Sequence, residues 1–203
     1  MADESEIGIY PLLVDTGAFI AVANTDLWGL LTEHIALSTT DVVVEELERH
    51  VEGNRESAPK GTREHRLHHG SAKTLNALDD PDIPFTVVDV PAVPSGADAG
   101  ERSLRMIQTQ HPKKVDLIAL MDLAARDRIR NDIRERGVNA RVVPPSFLFF
   151  ILLDSGVIDT STFCEATEEM LLNEGWTGYQ VVQAAWEGIP VDCSEHIDRR
   201  VLP

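Results

Sequence analysis

Ile7–Val14 (IGIYPLLV) is a mostly apolar run, which suits a strand buried on both faces of a parallel sheet. Asp15-Thr16-Gly17 follows as turn and cap chemistry, and Ala18–Leu31 is expected to continue as one helix. Ala36–Thr39 reads as a short strand. Thr40-Asp41 then offers an N-cap to Val42–Val51, where Val43, Leu47 and Val51 recur at helical spacing. A break at Pro59-Lys60-Gly61-Thr62 precedes a polar helix predicted over 62–78, and Phe85–Val90 (FTVVDV) is the next strand. Ser95-Gly96-Ala97-Asp98 opens a helix running to about Gln110. Val115–Met121 (VDLIALM) is a strand, followed by an Arg-rich helix over Leu123–Arg136 that Gly137 stops. Ala140–Val143 supplies a further strand, Pro145-Ser146 starts an apolar helix through Leu153, and two more helices are expected over 160–173 and 177–187. Strands alternate with helices, which predicts an α/β fold with a central parallel sheet.

Composition adds a cytoplasmic expectation and a habitat. The 203 residues are 43% hydrophobic, enough for a real core, and no apolar stretch approaches the ~20 residues that cross a bilayer. Met1–Glu6 carries three acids and no base, unlike a signal or transit peptide, so a cytoplasmic protein without membrane attachment is expected. The formal net charge is -16, from 17 Asp and 17 Glu against 14 Arg and four Lys. Many acids with few lysines fit a salt-rich, halophilic cytoplasm, where self-repulsion is screened and hydrated carboxylates keep the chain soluble. The charge is uneven. Residues 49–73 and 113–141 each carry a local net of +3, while the segments around them are acidic. Such basic islands are what contact with a polyanion requires, although helix faces of alternating sign would give the same pattern.

Four carboxylates stand in telling places. Open parallel sheets bind ligands beyond the carboxyl ends of their strands. Asp15 follows the first strand directly and Asp122 follows VDLIALM; Glu46 and Glu101 lie early in the helices after the second and third strands. Converging carboxylates repel one another, which raises their pKa values or demands a cation. An oxygen-only donor set suits Mg²⁺ or Mn²⁺, ions that activate water and stabilise a phosphoryl transition state. Each acid also has a structural reading: Asp15 and Asp122 as helix caps, Glu46 and Glu101 as surface helix residues. Spacing alone leaves both open.

The motif text is more specific. LLVDTGAFIAVA (12–23) resembles the opening of PIN-domain nucleases, the fold of VapC-type toxins. TTDVVVEELERH (39–50) resembles the second motif, GADAGERSL (96–104) the third, and LMDLAARDRIR (120–130) the fourth. GVNARVVPPSFLFFILLDSGVID (137–159) is similar to the closing strand and helix of one branch. The resemblance runs over residues 7–160 in the family's order. It departs at Leu120, where many members have Thr or Ser, and at Leu123, where others have a second Asp; Asp98, and after it Asp116, is a candidate substitute or additional third-motif acid.

This resemblance implies a three-layer PIN-like domain over 1–160, with 161–203 as a helical extension packing on the domain or on a dimer partner. It implies a Mg²⁺- or Mn²⁺-dependent endoribonuclease, a hydrolase of phosphodiester bonds that leaves a 5′-phosphate and a 3′-hydroxyl. Asp15, Glu101 and Asp122 would hold the metal, Glu46 would complete the catalytic set, and Arg63, Arg66 and Arg126 are candidates for RNA contact. A toxin role with an antitoxin protein as partner, and a homodimer, follow from the same likeness. A PIN-fold binding or scaffold protein with weak catalysis is the alternative, which Leu120 and Leu123 favour. A related DNA-structure nuclease would call for a Gly-rich hairpin element, and none is visible.

Other features point less far. His65, His68 and His69 lie within one helical turn, but no Cys or second His pair stands nearby to complete a zinc site. Trp28, Trp176 and Trp186 sit in apolar contexts and are expected in the core. Dinucleotide, P-loop and hydrolase-elbow motifs are absent. Val181, Val182, Ala185 and Trp186 form an apolar face in the tail. Cys164 and Cys193 are not in a CxxC pair, and no disulfide framework is expected.

Overall fold

The computed structural model describes residues 12–91, 96, 98–176 and 179–196, with residues 179–181 described by backbone alone. Strands β1 (Leu12–Val14), β2 (Leu37–Thr40), β3 (Phe85–Val88), β4 (Leu117–Ala119) and β5 (Arg141–Val143) form one sheet in the order β3-β2-β1-β4-β5. Every neighbouring pair is parallel. The register sets Thr86, Ser38, Leu13, Ile118 and Val142 in a single row across the sheet.

That row explains the layers. Successive side chains of a strand point to opposite faces. Leu13, Ile118 and Val142 accordingly pack into one core, with Leu104 and Ile107 of α5 (Ala99–Gln110) and Ala125, Ile129 and Ile133 of α6 (Leu123–Arg136). Their neighbours Leu12, Val14, Leu37, Ala119 and Val143 face the other core. There they meet α1 (Thr16–Ala23), α2 (Trp28–His34), α7 (Phe147–Asp154), α8 (Thr160–Asn173) and α9 (Tyr179–Ala185). The remaining helices, α3 (Asp41–Gly53) and α4 (Arg63–Leu78), pack on each other and on α1. The result is the expected three-layer α/β fold with a central parallel sheet.

The chain departs from expectation in three places. The helix predicted over 18–31 is two, because Asn24 ends α1: its side-chain amide donates to the carbonyls of Ile20 (2.8 Å) and Arg66 (3.1 Å). The strands are shorter than their apolar runs, and residues 7–11, 95, 97 and 177–178 of the expected elements lie outside the described residues. Finally, Cys164 and Cys193 form a disulfide, with Cα atoms 5.6 Å apart and both residues buried. Spacing in the sequence could not show this, because α8 must first fold back before the two thiols meet. The disulfide fastens the segment after α9 to α8, and Phe163, Met170, Leu171, Val182, Ala185 and Trp186 are buried in the same core as β1. No helix among the described residues is long and apolar enough to cross a membrane.

Candidate metal centre

In the order β3-β2-β1-β4-β5 the chain moves outward on one side of β1 and then restarts on the other, so the switch point lies between β1 and β4. A crevice forms there beyond the strand ends. Asp15 leaves β1 at this point, its backbone N–H donating to the Ala119 carbonyl at the end of β4 (3.1 Å). Asp122 begins α6 three residues after β4 ends. Both are N-caps: Asp15 Oδ1 accepts from the Ala18 N–H and Asp122 Oδ1 from the Ala125 N–H, each at 2.7 Å. The capping reading of these residues is therefore present in the structure; Asp15 accepts from the Met121 N–H as well, and the second oxygen of Asp122 lies outside the capping bond.

Asp15 and Asp122 line one cavity of about 420 Å³, with Gly17, Met121, Leu123, Arg126 and Trp176. A larger one of about 520 Å³ lies alongside, between α6 and the segment around α9. Its two carboxylates, Asp127 and Glu187, are both paired with Arg130, at 3.7 and 2.7 Å, so the chemistry points to the smaller cavity. Burial, with the Glu46 and Asp122 charges adding to it, pushes the Asp15 carboxyl up from 3.8 to about 7. The N–H groups of Ala18 and Met121 pull the other way and are outweighed. Without a cation nearby, Asp15 resists ionisation.

Glu46, one turn into α3, is held by both oxygens. Thr16 Oγ1 donates to Oε2 at 2.5 Å and the Gly100 N–H donates to Oε1 at 2.9 Å. Glycine at this position leaves room for that bond, since a Cβ there would stand 2.6 Å from Glu46 Oε2 and push the carboxylate aside. Ser103 Oγ, which donates to the Gly100 carbonyl and meets Thr40 Oγ1 at 2.6 Å, ties the start of α5 to the end of β2. Glu101 belongs to the same turn but is engaged elsewhere: Arg128 of α6 forms a two-pronged pair with it, at 3.1 and 2.6 Å. Asp98, just before α5, has φ +62, the one positive-φ non-glycine among the described residues. That left-handed backbone carries strain of order 1–3 kcal/mol beside the third motif.

Arg126 is buried at the cavity wall, donates from Nη1 to the Ala184 carbonyl at 2.9 Å and approaches Glu187 at 3.5 Å. Burial pushes its pKa down, and its Nε and Nη2 have no hydrogen-bond partner among the described residues. Arg63 is exposed. Arg66 is half-buried, 3.7 Å from Glu174, whose carboxyl burial raises. His65 and His69 stack at 5.3 Å, and His68 Nδ1 faces the carbonyls of Val51 and Asn54, which binds α4 to α3.

The sequence did not mark Thr16, Gly100 or Arg128 as site residues, and it placed Trp176 in the core rather than at the cavity wall. Thr16 carried a signal, as a hydroxyl beside the first acid. Trp176 carried none, being more than 50 residues from Asp122 in the chain. Among the described residues no three His, Cys, Asp or Glu side chains gather as a ready-made metal cage. Mg²⁺ commonly needs less than that: one or two carboxylates, with waters filling its octahedron. Asp15 and Asp122 supply hard oxygen donors of that kind, and the raised Asp15 pKa is relieved by a cation. A family model described as "Halobacterial PIN domain" matches residues 1–203. No curated protein and no solved structure matches the chain.

Proposed function

The chain belongs to the halobacterial PIN-domain family, a nuclease fold whose enzymes generally use divalent metals, and on that premise we propose that it is a Mg²⁺- or Mn²⁺-dependent endoribonuclease acting at Asp15 and Asp122. The observation that carries this reading is the meeting of these two carboxylates in one cavity at the β1/β4 switch point, with Asp15 driven up to about 7. A bound divalent ion would supply an activated water and neutralise charge developing on the phosphoryl group.

The chain's own residues then have separable tasks. Asp15 and Asp122, their directions set by capping bonds, would hold the ion. Glu46, fixed by Thr16 and Gly100, would orient the attacking water. Glu101, now paired with Arg128, would be a further candidate ligand. Hydrolysis adds the water's hydroxyl to phosphorus, and the departing 3′ oxygen takes the proton, leaving 5′-phosphate and 3′-hydroxyl ends. Arg63 lies exposed to guide the backbone.

A second reading, a PIN-fold scaffold with weak catalysis, draws support from the engaged state of Glu46 and Glu101. One experiment separates the two: incubate mixed RNAs in molar KCl with Mn²⁺, Mg²⁺ or EDTA, and map the ends produced. Metal-dependent cleavage that Asp15→Asn abolishes is expected; equal cleavage by both proteins, or none with either metal, contradicts the nuclease. As the toxin of a toxin–antitoxin pair the wild type would arrest growth when expressed alone and Asp15→Asn would not. Light scattering tests the homodimer.

A further inference from the structure

Trp176 is the aromatic side chain in the wall of the Asp15–Asp122 cavity. It is there because of how α8 ends. Gly175 takes a left-handed conformation (φ +69), its N–H donates to the Leu172 carbonyl at 3.0 Å, and the Trp176 N–H donates to the Leu171 carbonyl at 2.8 Å. This pair of bonds is the Schellman arrangement, which gives the residue after the glycine a fixed backbone position. The same helix end is anchored again by Asn173, which donates to the Asn24 carbonyl at 3.0 Å, and by Glu174 beside Arg66. Trp28 and Trp186 are buried, whereas Trp176 is only half-buried. A rigidly mounted, partly open indole stands beside two carboxylates.

The rest of the wall suits a flat apolar guest. Met121 and Leu123 are the other large apolar side chains of the cavity, and Leu123 is 36% exposed. At about 420 Å³ the space is in the range of small-molecule sites. Two carboxylates in a chain of net charge -16 do not attract a polyanion. Phosphate contacts weaken steeply with salt, and at 1 M the screening length is only about 3 Å. In the salt that this surface suits, attraction that does not depend on charge must carry much of the binding. Stacking of a base on an aromatic ring is such an attraction.

We propose that Trp176 is a substrate-binding platform that stacks one unpaired nucleobase next to the scissile phosphate. The inference rests on the nuclease reading of the cavity. Duplex bases are already stacked on one another and reach the indole only after being pulled out, which disfavours them.

The test measures affinity apart from turnover. A fluorescently labelled single-stranded octanucleotide of mixed sequence and a blunt hairpin are titrated with wild type, W176A and W176F in 2 M KCl. Ca²⁺ replaces Mg²⁺, and circular dichroism melts check each fold. The expected result is a loss of about 5- to 150-fold for W176A on the single strand and less than about threefold for W176F, with weak hairpin binding throughout. Wild-type affinity in W176A, an equal loss in W176F, or hairpin bound as tightly as single strand overturns the proposal. Trp176-dependent binding without cleavage removes the nuclease reading, and with it the scissile phosphate, while the stacking contact itself stands. Cleavage with unchanged affinity in W176A removes the stacking contact alone.

Discussion

Asp15→Asn is expected to stabilise the metal-free protein at pH 8. The Asp15 carboxyl rises from 3.8 to about 7 on folding, so the folded state holds its proton more tightly than the unfolded chain does. For an acid shifted upward, stability is highest below the unfolded pKa and falls as pH climbs through the folded one. Above pH 7 the accumulated penalty is about 4 kcal/mol. Asn caps a helix as well as Asp does, so the bond from the Ala18 N–H survives. The bond from the Met121 N–H is lost, at a cost of about 1–2 kcal/mol. The net gain of about 2–3 kcal/mol raises the melting temperature of a chain this size by roughly 5–10 °C. Thermal melts in EDTA and KCl at pH 5 and pH 8 check it. Near pH 5 the residual penalty is about 1.6 kcal/mol, so the two proteins should melt together. Saturating Mg²⁺ should close the gap at pH 8 by stabilising wild type alone. An Asp15→Asn protein no more stable than wild type at pH 8 in EDTA would refute the reasoning.

Gly100→Ala places a methyl against Glu46 and is expected to lower cleavage at least about tenfold, while the melting temperature moves little because Glu46 can swing outward; unchanged cleavage would show that Glu46 has no part in it. Arg128→Gln frees Glu101, so tighter Mn²⁺ binding by calorimetry is expected, with stability in a melt lowered by no more than about 1 kcal/mol, Arg128 being the exposed partner. Reducing the Cys164–Cys193 disulfide opens a loop with a 29-residue separation and should cost about 3–4 kcal/mol, read as a lower melting temperature with dithiothreitol that Cys193→Ser reproduces without it.

Much of the fold was legible because it is carried by local patterns. Apolar runs bounded by turn residues marked the strands, and Gly137 and the cap at Asp122 set helix ends that the sequence already marks. The break at Asn24 was not legible, since it depends on a hydrogen bond to Arg66, 42 residues away. Asp15 and Asp122 could be placed from strand ends alone, which position ligands in any open parallel sheet. Glu101's partner Arg128 and the buried state of Arg126 could not, because both depend on how α6 rotates against α5 and the tail. Trp176 is the sharpest case: its apolar neighbours pointed to the core, and only the turn at Gly175 puts it beside the acids.

The central claim is tested most directly by the initial rate of cleavage of one end-labelled single-stranded RNA, measured against Mn²⁺ concentration for wild type and Asp122→Asn. The account predicts a saturable, EDTA-reversible rate for wild type and a loss of at least about a hundredfold in the variant. A rate that ignores Mn²⁺, or one that Asp122→Asn leaves unchanged, would contradict it.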